Sequence, residues 1–374
     1  MARIAIVGAG PAGSSAGWHL ASRGHQVTLI DRAMFPRPKT CGDWITLGSV
    51  AELARLGLTR ARIEREAAEY AAITGTIIAA PGGRRTSGTP REPAYCIPRL
   101  VFDDLLWRHA VAAGCEPARR VVRHLAADPG LAGFDHIIDA RGAHAGTANA
   151  VALRAYWTVR RDRLDDGDAA SVQIHTDAAF HRGYGWLFPV ASDAESVRFN
   201  LGVGLWKADS VPGRSIADFY ARFTATNLLL QRWRAGAVIE RPVGCHVGLG
   251  LWRNTVAAGG VLRIGDAANL ADPLTGDGIG NALASGRLVA DAIDDGGTRE
   301  RALGAWQARH DEVFRPEFRA ALIIRRALVA TAGKNLAARV LAASPSLRLR
   351  VHAAFFGEAG YLDIARPGSR MAHL

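Results

Sequence analysis

The stretch Arg3-Ile-Ala-Ile-Val-Gly8-Ala-Gly10-Pro-Ala-Gly13 places apolar, β-prone residues directly before the pattern Gly-x-Gly-x-x-Gly. In this pattern the first glycine permits a tight turn, the second lets backbone approach a pyrophosphate, and the third lets a helix pack closely on the strand. A second apolar segment ends at Asp31, at the distance where an acid can hydrogen-bond a ribose hydroxyl. The stretch therefore predicts a dinucleotide site and leaves NAD and FAD both open.

The size and composition of the chain indicate a folded protein with more than one domain. Its 374 residues are 49% hydrophobic, and at about 150 residues per domain this length predicts two domains with sizeable cores. The sequence contains no uncharged apolar run of about 18 residues, and it opens with a strand rather than with a cleavable signal. We therefore expect a cytoplasmic protein.

The distribution of charge and cysteine argues against two common kinds of site. The formal net charge is +11, but the basic residues are scattered rather than clustered with aromatics, so no nucleic-acid partner is expected. The four cysteines are widely spaced and form no zinc-type pattern, so neither a metal site nor a disulfide framework is expected. These cysteines are Cys41, Cys96, Cys115 and Cys245.

The segment from Arg299 to Arg350 combines helical apolar spacing with the densest basic charge of the chain. It predicts a helical region that continues to roughly His352. A solvated helical face is the ordinary explanation of such charge. The alternative is a docking surface for an acidic carrier protein or an anionic membrane, which would make the protein peripheral to the membrane. The arginines concerned are Arg315, Arg319, Arg325, Arg326, Arg339, Arg348 and Arg350.

The pattern changes between Val151 and Trp252, where short segments of alternating polarity follow one another. Such segments predict an antiparallel sheet inserted into the nucleotide-binding fold. One helix is expected to cross this sheet, over residues 216–233. The predicted strands are residues 152–159, 171–175, 185–190 and 196–205.

A second glycine-rich segment decides between the two cofactors. Residues 259–264 predict a strand that leads into Gly265-Asp-Ala-Ala268, and Asp272-Pro-Leu-Thr-Gly-Asp-Gly-Ile279 then opens a helix that runs to about Ile293. This helix start presents another cluster of unpaired backbone N–H groups, which the adenosine of NAD does not need. The sequence therefore predicts FAD.

The predicted fold class is α/β, with three parts. They are a discontinuous Rossmann-like FAD-binding domain (1–150 plus 255–300), an inserted antiparallel-sheet substrate-binding domain (151–254) and a C-terminal helical region (301–374).

Four segments can be compared jointly with known families. They are Gly8-Ala-Gly-Pro-Ala-Gly13, Phe35-Pro-Arg-Pro-Lys-Thr-Cys-Gly-Asp43, Tyr184-Gly-Trp-Leu-Phe-Pro189, and the pair formed by Gly265-Asp-Ala-Ala268 and Asp272-Pro-Leu-Thr-Gly-Asp-Gly-Ile279. Together they resemble the geranylgeranyl reductase family of FAD-dependent oxidoreductases, within the para-hydroxybenzoate hydroxylase-like flavoprotein group. The resemblance covers about residues 1–300.

The resemblance implies where FAD would lie. Asp31 would hold the adenosine ribose, Arg99 would approach the flavin, and Asp266 would bind the ribityl chain. The segment Gly276–Ile279 would direct backbone amides at the pyrimidine edge, where a helix N-terminus stabilises negative charge by about 0.3 to 1 kcal/mol. The implied cofactor-binding residues are Gly8, Gly10, Ala12, Gly13, Asp31, Arg32, Cys41, Arg99, Gly265, Asp266, Pro273, Gly276, Gly278 and Ile279.

The resemblance also implies a substrate cavity beside the flavin. Tyr184, Trp186 and Phe188 alternate along a predicted strand and resemble the family's aromatic motif that lines this cavity. Cys41 resembles a family cysteine close to the flavin. These four residues are the candidate catalytic residues, and the substrate is expected to be apolar.

Two features lie outside this pattern. The Asp-Gly pair that the flavoprotein group often has after the strand at residues 134–139 is replaced here by Arg141-Gly142, which removes the basis for predicting a flavin contact there. His181 and His246 lie in the inserted region, where a polar or core role is expected for each.

The expected activity is hydride transfer from reduced flavin to a carbon–carbon double bond of an apolar substrate, either isoprenoid-like or another biosynthetic intermediate. A monooxygenase on the same scaffold is the main alternative, because fold does not separate the two. A halogenase is disfavoured by the aromatic motif and by Lys39 being the only lysine before residue 200; a non-catalytic flavin-binding or NAD-binding module would not require that motif. No second complete Gly-x-Gly-x-x-Gly with a strand-end acid is found, so electrons are expected from transient NAD(P)H binding or from a reductase or ferredoxin partner.

Overall fold

The computed structural model describes residues 1–144, 148–176, 183–207, 213–251, 253–328 and 330–364. The strands are β1 (Arg3–Val7), β2 (Gln26–Asp31), β3 (Trp44–Ile45), β4 (Ala71–Ile73), β5 (Gly75–Ala79), β6 (Arg85–Gly88), β7 (Ala94–Cys96), β8 (Glu116–Arg119), β9 (His136–Asp139), β10 (Ala150–Arg160), β11 (Ser171–His175), β12 (Tyr184–Ser192), β13 (Ser196–Trp206), β14 (Val238–Ile239), β15 (Val243–Val247), β16 (Ala257–Ala258) and β17 (Val261–Arg263). The helices are α1 (Pro11–Ala21), α2 (Leu47–Arg55), α3 (Arg60–Glu66), α4 (Arg99–Ala112), α5 (Ile216–Thr226), α6 (Leu228–Arg234), α7 (Ile279–Gly296), α8 (Arg299–Leu328), α9 (Thr331–Ala343), α10 (Pro345–Phe356) and α11 (Tyr361–Ile364).

The first sheet has six strands in the order β16-β17-β9-β1-β2-β8. Strand β1 lies between β2 and β9 and is parallel to both, which confirms the predicted strand, turn, helix and strand. Helix α1 packs against α7: the Ser15 hydroxyl donates to the Leu283 carbonyl at 2.8 Å, and a Cβ on Gly286 would lie 2.7 Å from the Ala16 nitrogen. The N-terminal and later glycine segments are therefore brought to one edge of this sheet.

The second sheet has eight strands, in the order β14-β10-β13-β12-β11-β5-β6, with β15 also paired to β10. Its alternating apolar residues pack on both faces. Trp157, Phe199 and Trp233 belong to the core between one face and helices α5 and α6. Trp186 and Phe188 belong to a core on the other face that includes Phe356 of α10. The antiparallel sheet predicted from residues 151–254 is present. It is extended by β5, which pairs parallel to β11, and by β6, which pairs antiparallel to β5.

The predicted helix over residues 216–233 is wrong in its continuity, since two helices, α5 and α6, occupy this segment. They meet at Asn227, whose side-chain oxygen accepts hydrogen bonds from the N–H groups of Leu229 and Leu230. An asparagine that bonds the first free amides of a helix is a strong N-cap. The cap therefore starts a new helix inside an otherwise helical apolar pattern.

The helical prediction for the C-terminal region is confirmed in type but wrong in continuity, because α8, α9 and α10 are separate helices. Helix α10 begins at Pro345, and the Ser344 hydroxyl accepts from the Leu347 N–H. Proline has no N–H to continue a preceding helix, but it suits the first position of a new one.

His181 lies outside the described residues, so its expected role is not addressed by the structure.

Replacing Trp233 should show how strongly the inserted sheet depends on its helical cover. Trp233 is fully buried and packs on Phe199 with ring centroids 4.4 Å apart. We expect Trp233→Ala to lower the free energy of unfolding by about 3 to 5 kcal/mol, measured by denaturant unfolding followed by circular dichroism. Leu228→Ala on the same helix, 80% exposed, is the control, with an expected change within about 0.5 kcal/mol. Equal changes in both variants would contradict this account of the core.

Candidate active site

A single large cavity brings most of the predicted site residues together. Its volume is about 1370 Å³, more than the roughly 300 to 1,000 Å³ of ordinary ligand pockets. Gly13, Gly265 and Pro273 do not line it. The predicted residues on its wall are Gly8, Gly10, Ala12, Asp31, Arg32, Cys41, Arg99, Tyr184, Trp186, Phe188, Asp266, Gly276, Gly278 and Ile279.

The first and third glycines of the N-terminal pattern are required by close backbone packing. Gly8 has a φ of +108°, and a Cβ there would lie 2.1 Å from the Ala140 carbonyl oxygen. A Cβ on Gly13 would lie 1.8 Å from the carbonyl oxygen of Gly8. The third glycine thus packs helix α1 on the turn, while the first permits the turn to pass against the neighbouring strand β9.

Helix α1 begins beside the cavity with its amide end open. Its N-cap is Gly10, which provides no side-chain cap, and its first turn carries no acidic residue. Asp31, at the end of β2, accepts hydrogen bonds from the N–H groups of Ala9 at 2.8 Å and Ala33 at 2.9 Å. The carboxylate therefore fixes the turn at the same time as it lines the cavity, and Arg32 adds a cation there. An open helix N-terminus with a nearby cation suits a phosphate group.

The second glycine segment packs directly on the first. Gly265 has a φ of +56°, and a Cβ there would lie 2.8 Å from the Ala12 Cβ. The next residue, Asp266, presents its carboxylate to the cavity without a hydrogen-bond partner among the residues that the structure describes. Burial raises the pKa of Asp266, while the positive charges of Lys39 and Arg99 act in the opposite direction. This acceptor is therefore available to a ligand hydroxyl.

Aromatic side chains hold the loop that precedes α7. The Tyr184 hydroxyl donates to the Thr275 carbonyl, and the Trp206 indole N–H donates to the Pro273 carbonyl at 3.1 Å. The Tyr361 hydroxyl of α11 donates to Asp272 at 2.9 Å. This loop leads to Gly278, the N-cap of α7, where the Asp277 carboxylate accepts from the Ile279 N–H at 3.1 Å. The inserted sheet and the C-terminal helices therefore both position that helix start.

The aromatic residues predicted to share one face of a strand do so. Tyr184, Trp186 and Phe188 all line the cavity from β12, with successive ring centroids 6.0 and 6.3 Å apart. The Trp186 indole crosses the neighbouring strand at Gly202, where a Cβ would lie 2.3 Å from the indole Cζ2. The glycine therefore leaves room for a flat aromatic wall.

Cys41 lies on the cavity wall beside a buried arginine. The Arg99 guanidinium makes two hydrogen bonds to Asp103, which also pairs with Arg37 at 3.1 Å. Burial raises the pKa of the Cys41 thiol, and the neighbouring Arg99 charge opposes that rise. The Cys41 thiol is therefore neutral at ordinary pH, and the Arg99 guanidinium lies next to it.

Three site residues were missed by the sequence reasoning. Asp43 is fully buried, has a φ of +66° and accepts hydrogen bonds from the Tyr156 hydroxyl at 2.6 Å and the Asn200 amide at 2.7 Å. The sequence feature that could have indicated Asp43 is its place in the Cys41-Gly-Asp43 segment. Tyr156 and Asn200 gave a weaker signal, a polar group within an apolar strand.

Arg141 stands where the flavoprotein group often has an acidic residue, and it forms an ion pair with Asp139 at the end of β9. Its guanidinium binds both oxygens of Asp139 at 2.9 Å and also donates to the carbonyls of Val122 and Arg123. The side chain thus supports the cavity wall near the first glycine turn.

No helix among the described residues has the length and apolar character needed to cross a membrane.

Comparisons with known proteins agree with this geometry. A family model described as an FAD binding domain matches residues 1–129. The menaquinone reductase of Mycobacterium tuberculosis is 32% identical, over 78% of this chain and 76% of the relative. Digeranylgeranylglycerophospholipid reductase 1 of Methanopyrus kandleri is 30% identical, over 85% of this chain and 88% of the relative.

A solved structure described as geranylgeranyl bacteriochlorophyll reductase-like, from Thermoplasma acidophilum, has the same fold. It gives a TM-score of 0.72 at 18% identity and covers 89% of each chain. The two relatives, the FAD-domain match and this common fold lead to one conclusion. The chain belongs to the geranylgeranyl reductase family of FAD-dependent oxidoreductases.

Proposed function

We propose that this FAD-dependent oxidoreductase reduces a carbon–carbon double bond of an isoprenoid-like substrate. The observation that carries the proposal is the continuity of the cavity, which runs from the glycine turn at Gly8 past Trp186 to apolar residues of the C-terminal helices. The names of the two relatives denote molecules with polyprenyl chains. A cavity of this form can hold a dinucleotide and an apolar chain at the same time.

The residues present fit FAD. Helices α1 and α7 both begin at a glycine, although at α7 the Asp277 carboxylate accepts from the Ile279 N–H at 3.1 Å. Asp266 lines the cavity between the two helix starts. We assign Arg32 and the α1 amides to the adenosine and pyrophosphate end, Asp266 to the ribityl hydroxyls, and the residues 276–279 to the flavin ring. The bound flavin supplies the hydride. The N-terminus of α7 favours negative charge on the ring by about 0.3 to 1 kcal/mol.

The substrate chain would lie between the aromatic strand and the C-terminal helices. Helices α8, α9 and α10 contribute Leu328, Leu341 and Phe355 to the cavity wall, opposite Ile174 of β11. These side chains carry no charge or hydrogen-bonding group, so this part of the wall favours apolar surface. The same helices also contribute Arg325 and Lys334 to the cavity lining. The C-terminal region, short as it is, therefore supplies one side of an enclosure for a long hydrocarbon.

Reduction of a double bond consumes a proton as well as a hydride, and we assign the proton to the Cys41 thiol. Burial raises the pKa of this thiol, so it carries its proton at neutral pH. As the proton leaves Sγ for the second carbon, the adjacent Arg99 guanidinium stabilises the thiolate that remains, and solvent then returns the proton. We propose NAD(P)H or a reductase partner as the external source of electrons.

The direct test is anaerobic turnover of the reduced holoprotein. Dithionite-reduced enzyme mixed with a polyprenyl alcohol should reoxidise without oxygen and yield a product two mass units heavier per double bond, whereas the fully saturated alcohol should cause no reoxidation. Trp186→Ala should retain FAD and lose about 100-fold in turnover, because a misplaced reacting bond costs that order of rate. Trp186→Phe keeps a flat ring and should lose less. Reoxidation that needs oxygen and yields a hydroxylated product would refute the proposal.

Flavin retention tests the assignment of Asp266. A hydrogen bond to a charged group contributes about 1.5 to 3 kcal/mol, so Asp266→Ala should weaken FAD binding roughly ten- to hundredfold. The measurement is the ratio of flavin to protein absorbance after gel filtration. Asp295→Ala, which removes an exposed carboxylate at the far end of α7, is the control and should keep full occupancy. Full occupancy in both variants would show that Asp266 does not bind the cofactor.

We also propose that the C-terminal helices dock on an anionic membrane. Ile323, Leu336 and Leu349 are each between 58% and 64% exposed, and exposed arginines accompany them at Arg326 and Arg339. Leu336 also lines the cavity, so the cavity reaches the surface within this apolar and basic patch. Such a surface suits the headgroup region of an anionic bilayer, from which an apolar substrate can enter.

Vesicle sedimentation distinguishes a membrane from an acidic carrier protein. We expect the full chain to sediment with vesicles containing phosphatidylglycerol, weakly with pure phosphatidylcholine, and less at high salt because screening weakens the charge term. Leu336→Glu should reduce this binding severalfold, while Leu228→Glu, at an 80% exposed position on α6, should not. Equal binding of both variants, or no binding to anionic vesicles, would contradict the membrane proposal.

A further inference from the structure

One buried carboxamide joins the two sides of the candidate active site. Asn200 of β13 is fully buried. Its amide nitrogen donates to the Cys41 carbonyl and to Asp43, each at 2.7 Å, and its oxygen accepts from the Trp186 indole N–H at 2.9 Å. An asparagine side chain offers two donor hydrogens and one acceptor oxygen. Both donor hydrogens bind the loop that carries Cys41 and Asp43, and the oxygen binds Trp186 of the aromatic strand β12.

The acceptor on the loop side is a carboxylate surrounded by donors. The Asp43 carboxylate accepts hydrogen bonds from the Asn200 amide, from the Tyr156 hydroxyl at 2.6 Å and from the backbone N–H of Arg99 at 3.3 Å. Burial raises the pKa of Asp43, and these hydrogen bonds and the nearby arginine charges lower it. Without Asn200 each Asp43 oxygen would keep a partner, because Oδ2 also accepts from the Tyr156 hydroxyl and Oδ1 from the Arg99 backbone N–H. The Cys41 carbonyl and the Trp186 indole N–H would instead lose the partner that Asn200 provides, and a buried polar group left unpaired is costly. The loop conformation therefore depends on the Asn200 contact.

The loop has little freedom to compensate. Asp43 has a φ of +66°, an uncommon conformation for a residue with a side chain. A Cβ on the preceding Gly42 would lie 3.1 Å from the Phe188 ring and 3.7 Å from the Trp186 indole nitrogen, so the backbone itself touches the aromatic wall. A change at Asn200 would therefore alter the spacing between Cys41 and that wall.

We propose that Asn200 is a positioning residue, which fixes the distance between the Cys41 thiol and the aromatic wall against which the substrate lies. The inference rests on the proposed function, in which Cys41 supplies the proton and Trp186 orients the double bond. Asn200 touches neither substrate nor flavin in this scheme. It acts through the Cys41 backbone and the Trp186 indole.

Two substitutions of Asn200 by side chains of similar size distinguish a positioning role from a contribution to overall stability. Asn200→Leu removes every hydrogen bond, and its turnover should fall about 100-fold at all pH values. Asn200→Asp places a second carboxyl beside Asp43, and two such groups cannot both ionise easily, so one pKa of the pair is raised. Below that raised pKa the shared proton restores a hydrogen bond. Turnover of Asn200→Asp should therefore recover as the pH falls and decline as the pH rises.

Gln173 provides a matched control in the same sheet. It is fully buried on β11, and its amide donates to the carboxylate of Asp168 at 2.8 Å, but it does not line the cavity. Gln173→Leu and Gln173→Glu should lower the unfolding midpoint by amounts similar to the Asn200 pair. Their FAD content and the pH profile of their turnover should remain those of the unsubstituted protein.

A second measurement makes the test independent of the reaction. The rate at which iodoacetamide alkylates Cys41, followed by peptide mass spectrometry on the holoprotein, should rise severalfold in both Asn200 variants and stay unchanged in both Gln173 variants. Failure of the unsubstituted enzyme to reduce polyprenyl alcohols would refute the proposed function while leaving this readout intact. Unchanged alkylation in the Asn200 variants, or a pH profile of Asn200→Asp that matches the unsubstituted enzyme, would overturn the positioning role.

Discussion

The close packing of α1 against α7 is the constraint on which the rest of the structure depends. Two segments more than 250 residues apart meet there, through the hydrogen bond of Ser15 to Leu283 and the absence of side chains at Gly265 and Gly286. Any larger residue at these glycines would separate the helices. Their contact brings two helix N-termini to the same cavity, so cofactor binding and core packing depend on the same short distances.

The inserted sheet and the nucleotide-binding sheet are coupled through polar contacts at the cavity rather than through packing alone. Tyr184 and Trp206 bind the carbonyls of the loop before α7, and Asn200 binds the loop of Cys41. Buried hydrogen bonds of this kind contribute modest net stability but fix geometry, because a buried group left unpaired is costly. The aromatic wall is therefore held at a set position relative to both helix starts.

Local patterns predicted much of the fold and part of the site. The glycine turn at Gly8, the segment 265–279 and the alternating aromatics from Tyr184 each carry their geometry in a few consecutive residues. The hydrogen bonds of Asn200 link residues 157 and 159 positions apart, and no local period records such a pairing. The helix break at Asn227 was missed for the opposite reason: the apolar period continues across the cap that interrupts it.

The hydrogen bond from Tyr361 to Asp272 makes the final conformation of the loop before α7 depend on a residue that is synthesised much later. Domains generally fold as they leave the ribosome, from the N-terminal side, and the six-stranded sheet requires residues up to Arg263. The loop before α7 gains its last hydrogen bond only when residue 361 has been made. A nascent chain that has completed the six-stranded and eight-stranded sheets still lacks this restraint, so the cavity reaches its mature form only after α11 has been made.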